Sequence, residues 1–304
     1  MIETVQVIEP RSVLLCGDTH GDVVHIEYLM QTAVRNGAQA IFVLGDFGYW
    51  EHMDKGAFLD RCEDLAEQYD LDVYWLDGNH EAHDMLRERY IESALVPRTS
   101  NGFVAMRNRL YHAPRAHRWE WWGKRFMALG GAYSIDKAPR LRGEAKARAS
   151  ARAEFAGREQ AGKDAVARLS ARSVRVLSGK PLLWWPEEEI TEEEVAEALD
   201  GEPIDVLLCH DKPRRSQPRW NRKDFSECFP NQDRIQRVIE ALEPARVFHG
   251  HLHYRYEDGM LLPPNGQGDR HAVLVTGLDC NAAAASFGGY RMEDSWYLLT
   301  PDNA

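Results

Sequence analysis

Short unbroken apolar runs, each ending in glycine or a polar pair, recur along the chain. Ser12 to Cys16 reads SVLLC and meets Gly17-Asp18. Ala40 to Leu44 reads AIFVL and meets Gly45-Asp46. Val73 to Leu76 precedes Asp77-Gly78-Asn79-His80. Four or five consecutive apolar residues bounded by turn residues predict buried strands. Between these runs, Val23 to Arg35 places Val23, Ile26, Leu29, Met30, Ala33 and Val34 at helical spacing and stops at Asn36-Gly37. Phe58 to Gln68 predicts a second helix. The β-α-β-α-β order predicts a mainly parallel sheet with crossover helices.

The middle of the chain changes character. Gly102 to Gly130 carries the alternating aromatic segments RLYHA, RWEWW and RFMALG, which predict antiparallel strands. Gly143 to Ser173 is rich in alanine, arginine and glutamate. Acid-to-base pairs at i,i+4 (Glu144–Arg148, Glu154–Arg158, Glu159–Lys163, Asp164–Arg168) predict a solvated helical insertion over 142–178, broken near Gly157 and Gly162. Trp184-Trp185-Pro186 precedes an acidic helix, Thr191 to Leu199. Strands then recur at Asp205 to Cys209, Arg246 to His249, Val273 to Thr276 and Trp296 to Leu299, with a helix at Arg234 to Leu242. No repeat or linker divides residues 1–304, so a single domain with an insertion is expected.

Composition narrows the class. A hydrophobic share of 44% over 304 residues supports a buried core and excludes a disordered chain. The net charge of -11 does not draw the whole molecule to nucleic acid or to an anionic membrane. Five cysteines, odd in number and without a CxxC pair, fit a reduced compartment. The segment MIETVQVIEP lacks the basic and apolar regions of a signal peptide, and no run reaches the ~18 apolar residues of a membrane helix. A cytoplasmic protein with no membrane partner is expected.

Five polar motifs directly follow predicted strands: Gly17-Asp18-Thr19-His20-Gly21, Gly45-Asp46, Gly78-Asn79-His80-Glu81, Cys209-His210-Asp211 and Gly250-His251-Leu252-His253. Ligand sites of α/β sheets lie beyond the carboxyl ends of the strands, so the five loops converge. A DxH or a lone Gly-Asp is more often a turn, and two histidines are more often packing residues. The five motifs together, each at a strand end, are far less frequent by chance than any one of them. Carboxylate, amide oxygen and neutral imidazole suit Mn, Fe or Zn rather than Ca, and no thiolate set points to structural zinc. Two such ions ~3.5–4 Å apart share a carboxylate and a hydroxide, which attacks phosphorus in line.

In these motifs and their order (GDTHGD, GDFGYW, GNHE, the HD of LLCHDKP, and GHLH) the sequence resembles the calcineurin-like metallophosphoesterase family, over roughly Val13 to His253. The resemblance implies an α/β fold of two packed mixed β-sheets flanked by helices, an αββα sandwich. It implies that Asp18, His20 and His253 hold one divalent ion, that Asn79, His210 and His251 hold a second, and that Asp46 bridges them. It gives His80 the part of general acid or phosphate contact, and Asn79 a further phosphate contact. Manganese is the first expectation, with iron or zinc as alternatives.

The second motif departs from the GDxVDRG of the phosphoprotein phosphatase branch. Tyr49 stands where an acid would pair with the catalytic histidine, and Trp50 where an arginine would grip phosphate. The smaller bacterial and phage-like members are the nearer resemblance, and Gly130-Gly131-Ala132-Tyr133-Ser134 and WWPEEE resemble features of theirs. A phosphodiesterase acting on a small nucleotide-type substrate, cyclic nucleotides included, is therefore expected. A phosphomonoesterase or phosphoprotein phosphatase, a nuclease and a non-catalytic scaffold are the alternatives. Nucleic acid is weighed down by the net charge, and oligomeric state is left open.

Other residues have plainer readings beside functional ones. The basic excess of Lys137 to Lys180 is either a grip on a polyanionic substrate or a solvated helix face, and its own i,i+4 pairs, which explain most of the charges, favour the second. Arg214, Arg215, Arg219, Trp220, Arg222 and Lys223 form either a surface loop or a phosphate and base contact. Trp119, Trp121, Trp122, Trp184 and Trp185 are expected in packing, as are His83, His112, His117 and His249 at the surface or in packing. Cys16 and Cys209 are expected to be buried and inert.

Overall fold

The computed structural model describes residues 4–161, 183–218, 225–264, 271–284 and 291–304. Two six-stranded mixed sheets carry the fold. The first contains β1 (Val13–Cys16), β2 (Ala40–Leu44), β3 (Asp72–Leu76), β4 (Val104–Arg107) and β5 (Leu110–His112), with β12 (Trp296–Leu299) at one edge. Its order is β12-β1-β2-β3-β5-β4, with β1, β2, β3 and β5 parallel and the two edge strands antiparallel. The second contains β6 (Arg118–Trp121), β7 (Lys124–Leu129), β8 (Val206–Cys209), β9 (Arg246–His249), β10 (Tyr256–Leu261) and β11 (Ala272–Gly277), in the order β10-β11-β9-β8-β7-β6.

The sheets sandwich a core because alternate residues of each strand point to opposite faces. In β1, Val13 and Leu15 join the cluster that also takes Phe42, Leu44, Phe126, Leu208 and Phe248, from both sheets. Leu14 and Cys16 point the other way, under α1 (Val23–Arg35) and α3 (Ala57–Tyr69), where Ile26, Leu29, Met30, Leu59, Cys62 and Leu65 are buried. The outer face of the second sheet packs under α6 (Glu192–Leu199) and α7 (Phe229–Leu242) through Val195, Ala198, Ile235, Val238 and Ile239. Their i, i+3, i+4 spacing makes the apolar stripe of each helix. Each fully buried leucine or isoleucine of these layers contributes about 1.5–3 kcal/mol. Trp119 and Trp121 lie in the layer between the sheets, as packing residues. Cys16 and Cys209 are buried.

The short helices α2 (Glu51–Asp54) and α4 (His83–Leu86) complete this first unit, which spans Met1–Tyr133 and Glu187–Ala304. Ser134–Pro186 forms a second compact unit, which includes the expected 142–178 segment. Its described helix, α5 (Lys137–Ala161), runs without a break through Gly157, contrary to the expected interruption. The Glu144–Arg148 pair is made at 3.3 Å. Residues 162–178, with Gly162 and the pairs Glu159–Lys163 and Asp164–Arg168, lie outside the described residues, in whole or in part.

The strands of 102–130 are only partly antiparallel. β4–β5 and β6–β7 are hairpins, but β5 also runs parallel to β3 and β7 parallel to β8, which splices each hairpin onto a parallel sheet. α7 begins at Phe229, five residues before Arg234, with Pro230 in its first turn, where its missing N–H costs nothing. Among the described residues, no helix is long and apolar enough to cross a membrane.

Candidate metal centre

The carboxyl ends of β1, β2, β3, β8 and β9 all open on one locus, because these strands run parallel within their sheets. Asp18 and His20 follow β1, Asp46 follows β2, Asn79 and His80 follow β3, His210 follows β8, and His251 and His253 follow β9.

Two sets of donors converge within 4.8 Å: Asp18, His20 and His253, and Asp18, Asp46 and His210. His253 Nε2 lies 3.0 Å from Asp18 Oδ2, and His20 Nε2 lies 3.5 Å from Asp46 Oδ2 and 4.0 Å from Asp18 Oδ2. His210 Nε2 lies 3.3 Å from both Asp46 Oδ1 and Asn79 Oδ1. The His251 ring stands 5.0 Å from that of His210, centroid to centroid, and its backbone N–H donates to Asp18 Oδ1 at 2.8 Å. Asp18 thus belongs to both sets, beside Asp46. His80 is half-buried on the rim, its ring 5.9 Å from His20 and its backbone N–H donating to Asp46 Oδ1 at 2.8 Å.

The donor set fits divalent ions. Asp18 and Asp46 are buried, and backbone N–H groups occupy one oxygen of each: His251 on Asp18 Oδ1, Asn79 and His80 on Asp46 Oδ1. The second oxygens, Asp18 Oδ2 and Asp46 Oδ2, take no backbone N–H and are faced by imidazole nitrogens alone, His253 Nε2 at 3.0 Å and His20 Nε2 at 3.5 Å. Buried carboxylate oxygens in that state are costly unless a cation meets them. The far nitrogens are anchored: His210 Nδ1 on the Leu44 carbonyl at 2.7 Å, His253 Nδ1 on the Ala284 carbonyl at 2.8 Å, His20 Nδ1 on Asn281 Oδ1 at 3.0 Å. Such partners set the tautomer and aim Nε2 inward.

The electrostatics agree. Burial alone would raise the Asp18 and Asp46 carboxyls, but the facing imidazoles hold both below the carboxylate range. Burial would likewise lower the imidazoles, yet Asp46 and Asp18 push His20 up to about 9 and His210 up to about 10. The locus is a field for positive charge.

The backbone bears strain there. Four candidate ligands have left-handed φ: His20 (48°), Asp46 (47°), His251 (63°) and His253 (52°). Each costs about 1–3 kcal/mol and persists only where the surroundings enforce it. The His20 N–H on the Asp46 carbonyl (2.7 Å) and the Gly250 N–H on the His210 carbonyl (3.1 Å) supply part of that enforcement. The neighbouring glycines make room for other candidate ligands. A Cβ on Gly45 (φ +94°) would stand 2.1 Å from His210 Nδ1, and one on Gly250 would stand 2.1 Å from Asp18 Oδ1.

The motifs do not show what Glu81 does, and they leave out other residues at the site. Glu81 is buried, and its carboxylate accepts from Gly78 N at 2.8 Å and Gly48 N at 3.4 Å, tying the β3 loop to the β2 loop. Burial and the negative Asp46 and Asp77 push its carboxyl up. Asn281 arrives from the loop after β11, the same strand-end position that marks the other loops. His112 and His83, expected in packing or at the surface, are buried against Asp77 at 3.8 and 3.9 Å. His249 is buried as well, on Tyr256 Oη at 2.6 Å, and His117 is half-buried. In the basic loop, Arg214 pairs with Asp233 at 3.7 Å and Arg215 with Glu240 at 3.6 Å, both on α7. Arg219, Trp220, Arg222 and Lys223 lie outside the described residues.

A family model described as calcineurin-like phosphoesterase matches residues 11–255. No curated protein matches the sequence. Among solved structures, the Thermus thermophilus protein TT1561 is similar at 13% identity, over 90% of this chain and 90% of that one, with a TM-score of 0.44. A dimetal phosphatase from Danio rerio is similar at 12% identity, over 90% of this chain and 88% of that one, with a TM-score of 0.40.

Proposed function

The chain belongs to the calcineurin-like phosphoesterase family, and we propose that it is a dinuclear phosphodiesterase acting on nucleotide-type diesters. The observation that carries this reading is the convergence of the Asp18, His20, Asp46, His210 and His253 donors beneath a half-buried His80. Asp18, His20 and His253 would hold one ion, and Asn79, His210 and His251 the other, with Asp46 between them. Manganese is the first choice for these oxygen and imidazole donors, with iron or zinc as alternatives. Two such ions supply neutralising charge on phosphate oxygens and a water acidic enough to ionise near neutral pH.

The chain's own groups do the rest. Asp46 is fixed by the Asn79 and His80 N–H groups, so the β2 and β3 loops hold their ligands in one register. The Asn79 side chain, 3.3 Å from His210 Nε2, would also contact a phosphate oxygen. As water adds to phosphorus and the bond to the leaving oxygen breaks, His80 delivers a proton to that oxygen. His20, with its side chain 22% exposed, and His80 mark the side from which substrate enters.

The second motif supports a diester. Tyr49 is buried, and its hydroxyl donates to Glu51 at 2.9 Å. It packs near Trp75 and Tyr90 rather than serving as an acid partner for His80. Trp50 supplies no cation. A diester carries one negative charge where a monoester carries up to two, so it has less need of a gripping arginine.

The test uses metal-stripped protein, with and without Mn²⁺, on bis-(p-nitrophenyl) phosphate and p-nitrophenyl phosphate. Mn²⁺-dependent diester cleavage, lost in Asp46→Ala and His210→Ala, is expected. Activity confined to the monoester overturns the diester reading, and well-folded variants that turn over normally overturn the metal reading.

A further inference from the structure

We infer that Asn281, held in one orientation by Asp22, fixes the tautomer of His20 and so aims the His20 Nε2 lone pair at the metal centre. This rests on the dinuclear reading above. Asn281 is a positioning residue that none of the five motifs contains, and it lies beyond residue 255, where the family match ends.

The geometry leaves one assignment. Asn281 is 3% exposed. Its Nδ2 lies 3.2 Å from Asp22 Oδ2, and its Oδ1 lies 3.0 Å from His20 Nδ1. An ionised carboxylate only accepts hydrogen bonds, so the amide NH₂ must face Asp22. The amide oxygen, which also only accepts, is thereby turned to His20. Nδ1 must then carry the proton. A neutral imidazole protonated on Nδ1 has its lone pair on Nε2, the atom that faces Asp46 Oδ2 and Asp18 Oδ2.

Asp22 is itself fixed. Its Oδ1 caps α1, accepting from Val24 N at 3.0 Å and His25 N at 3.1 Å. A carboxylate at a helix N-terminus is held by free N–H groups and by the helix dipole. One line of contacts therefore runs from the start of α1 through Asp22 and Asn281 to His20.

His20 differs here from His210 and His253, whose Nδ1 atoms rest on backbone carbonyls. A carbonyl is an acceptor whatever the side chains nearby. An amide is an acceptor only when it is turned the right way, so the His20 anchor depends on side chains that substitution can reach. The loop itself is tied separately, since the Asn281 backbone N–H donates to the Asp18 carbonyl at 3.0 Å, a bond that side-chain variants keep.

The test titrates metal-stripped protein with Mn²⁺, following free Mn²⁺ by electron paramagnetic resonance, with the metal-free thermal midpoint measured alongside. Wild type is expected to take two ions. Asn281→Leu should weaken one of them about 10–100-fold while the other changes less than about threefold. The double variant Asp22→Asn/Asn281→Asp exchanges donor and acceptor at constant charge, and should restore the weakened ion to within about threefold of wild type. Unchanged binding in Asn281→Leu, or failure of the folded double variant to restore it, overturns the inference. A measurement without any variant adds a second check. Long-range ¹⁵N–¹H correlation on the Zn²⁺-loaded protein should place the His20 proton on Nδ1, and a proton on Nε2 overturns the inference. Wild type that takes up no ion overturns the dinuclear reading and this inference together, whereas two ions bound equally by wild type and Asn281→Leu overturn only the inference.

Discussion

Arg115 grips Asp77 at the end of β3: its Nε and Nη2 reach the same oxygen, Asp77 Oδ2, at 2.9 and 2.6 Å. Asp77 is the residue before Gly78-Asn79-His80, so this pair fixes the root of a ligand loop. Arg115 also reaches Glu194 at 2.9 Å and the Glu189 carbonyl at 2.9 Å, which joins the start of α6 to the end of β3.

Breaking that pair is expected to destabilise the fold and to change its acid sensitivity. Both side chains are under a tenth exposed, so Arg115→Met leaves a buried carboxylate and should cost about 3–5 kcal/mol. Burial would raise the Asp77 carboxyl, but the charge of Arg115, with His112 and His83, holds it well below the carboxylate range. A depressed folded pKa means stability that is present above the unfolded value of ~4 and lost as pH falls below it. Urea midpoints measured from pH 7 to pH 3 should fall steeply in wild type and less steeply in Asp77→Asn. Equal slopes would contradict this account.

The metal-free protein should respond to alkali in the opposite sense. His20 is pushed up to about 9 and His210 to about 10, against burial, by Asp46 and Asp18. Folded values raised above ~6.5 stabilise the metal-free fold below that pH, and the contribution is lost as pH rises through about 9 to 10. A metal needs both rings deprotonated, so its uptake releases protons, and each proton released adds about tenfold in affinity per pH unit. Mn²⁺ affinity measured at pH 6.5 and at pH 8.5 should strengthen accordingly; affinity that does not change with pH would refute this.

His80 should separate chemistry from metal binding. His80→Ala is expected to lower kcat by about 10²–10⁴-fold while both ions remain bound. The loss should be larger for a diester with a poor leaving alcohol than for a p-nitrophenyl ester, because only the poor leaving group needs the proton. Loss of an ion in the variant, or equal losses on the two substrates, would remove His80 from the role of acid.

The places of the ligand loops are legible in the sequence for a physical reason. β1, β2 and β8 are buried on both faces, so each reads as an unbroken apolar run whose end is marked by the first polar residue. What is illegible depends on long-range partners. Asp77 and Arg115 are 38 residues apart and Arg115 and Glu194 are 79 apart, and no local pattern joins them. His83 and His112 look like packing histidines because burial is all the sequence registers of them. Asn281 follows a strand end as the ligands do, but a neutral amide next to Cys280 resembles an ordinary turn. β10 is missed because it is an edge strand whose Glu257 and Gly259 face solvent and interrupt its apolar pattern.

The donors come from both layers of the sandwich: Asp18, His20, Asp46 and Asn79 from the first sheet, His210, His251 and His253 from the second. On the dinuclear reading, an ion held by Asp18 and His253 would be a rivet through two sheets that meet through an apolar layer and through hydrogen bonds such as His210 Nδ1 to the Leu44 carbonyl. An ion that binds the folded chain alone adds about 2.7 kcal/mol when it is present at 100 times its Kd. The proposed catalytic metal would thus double as a clasp that keeps the two layers from parting where the ligand loops meet.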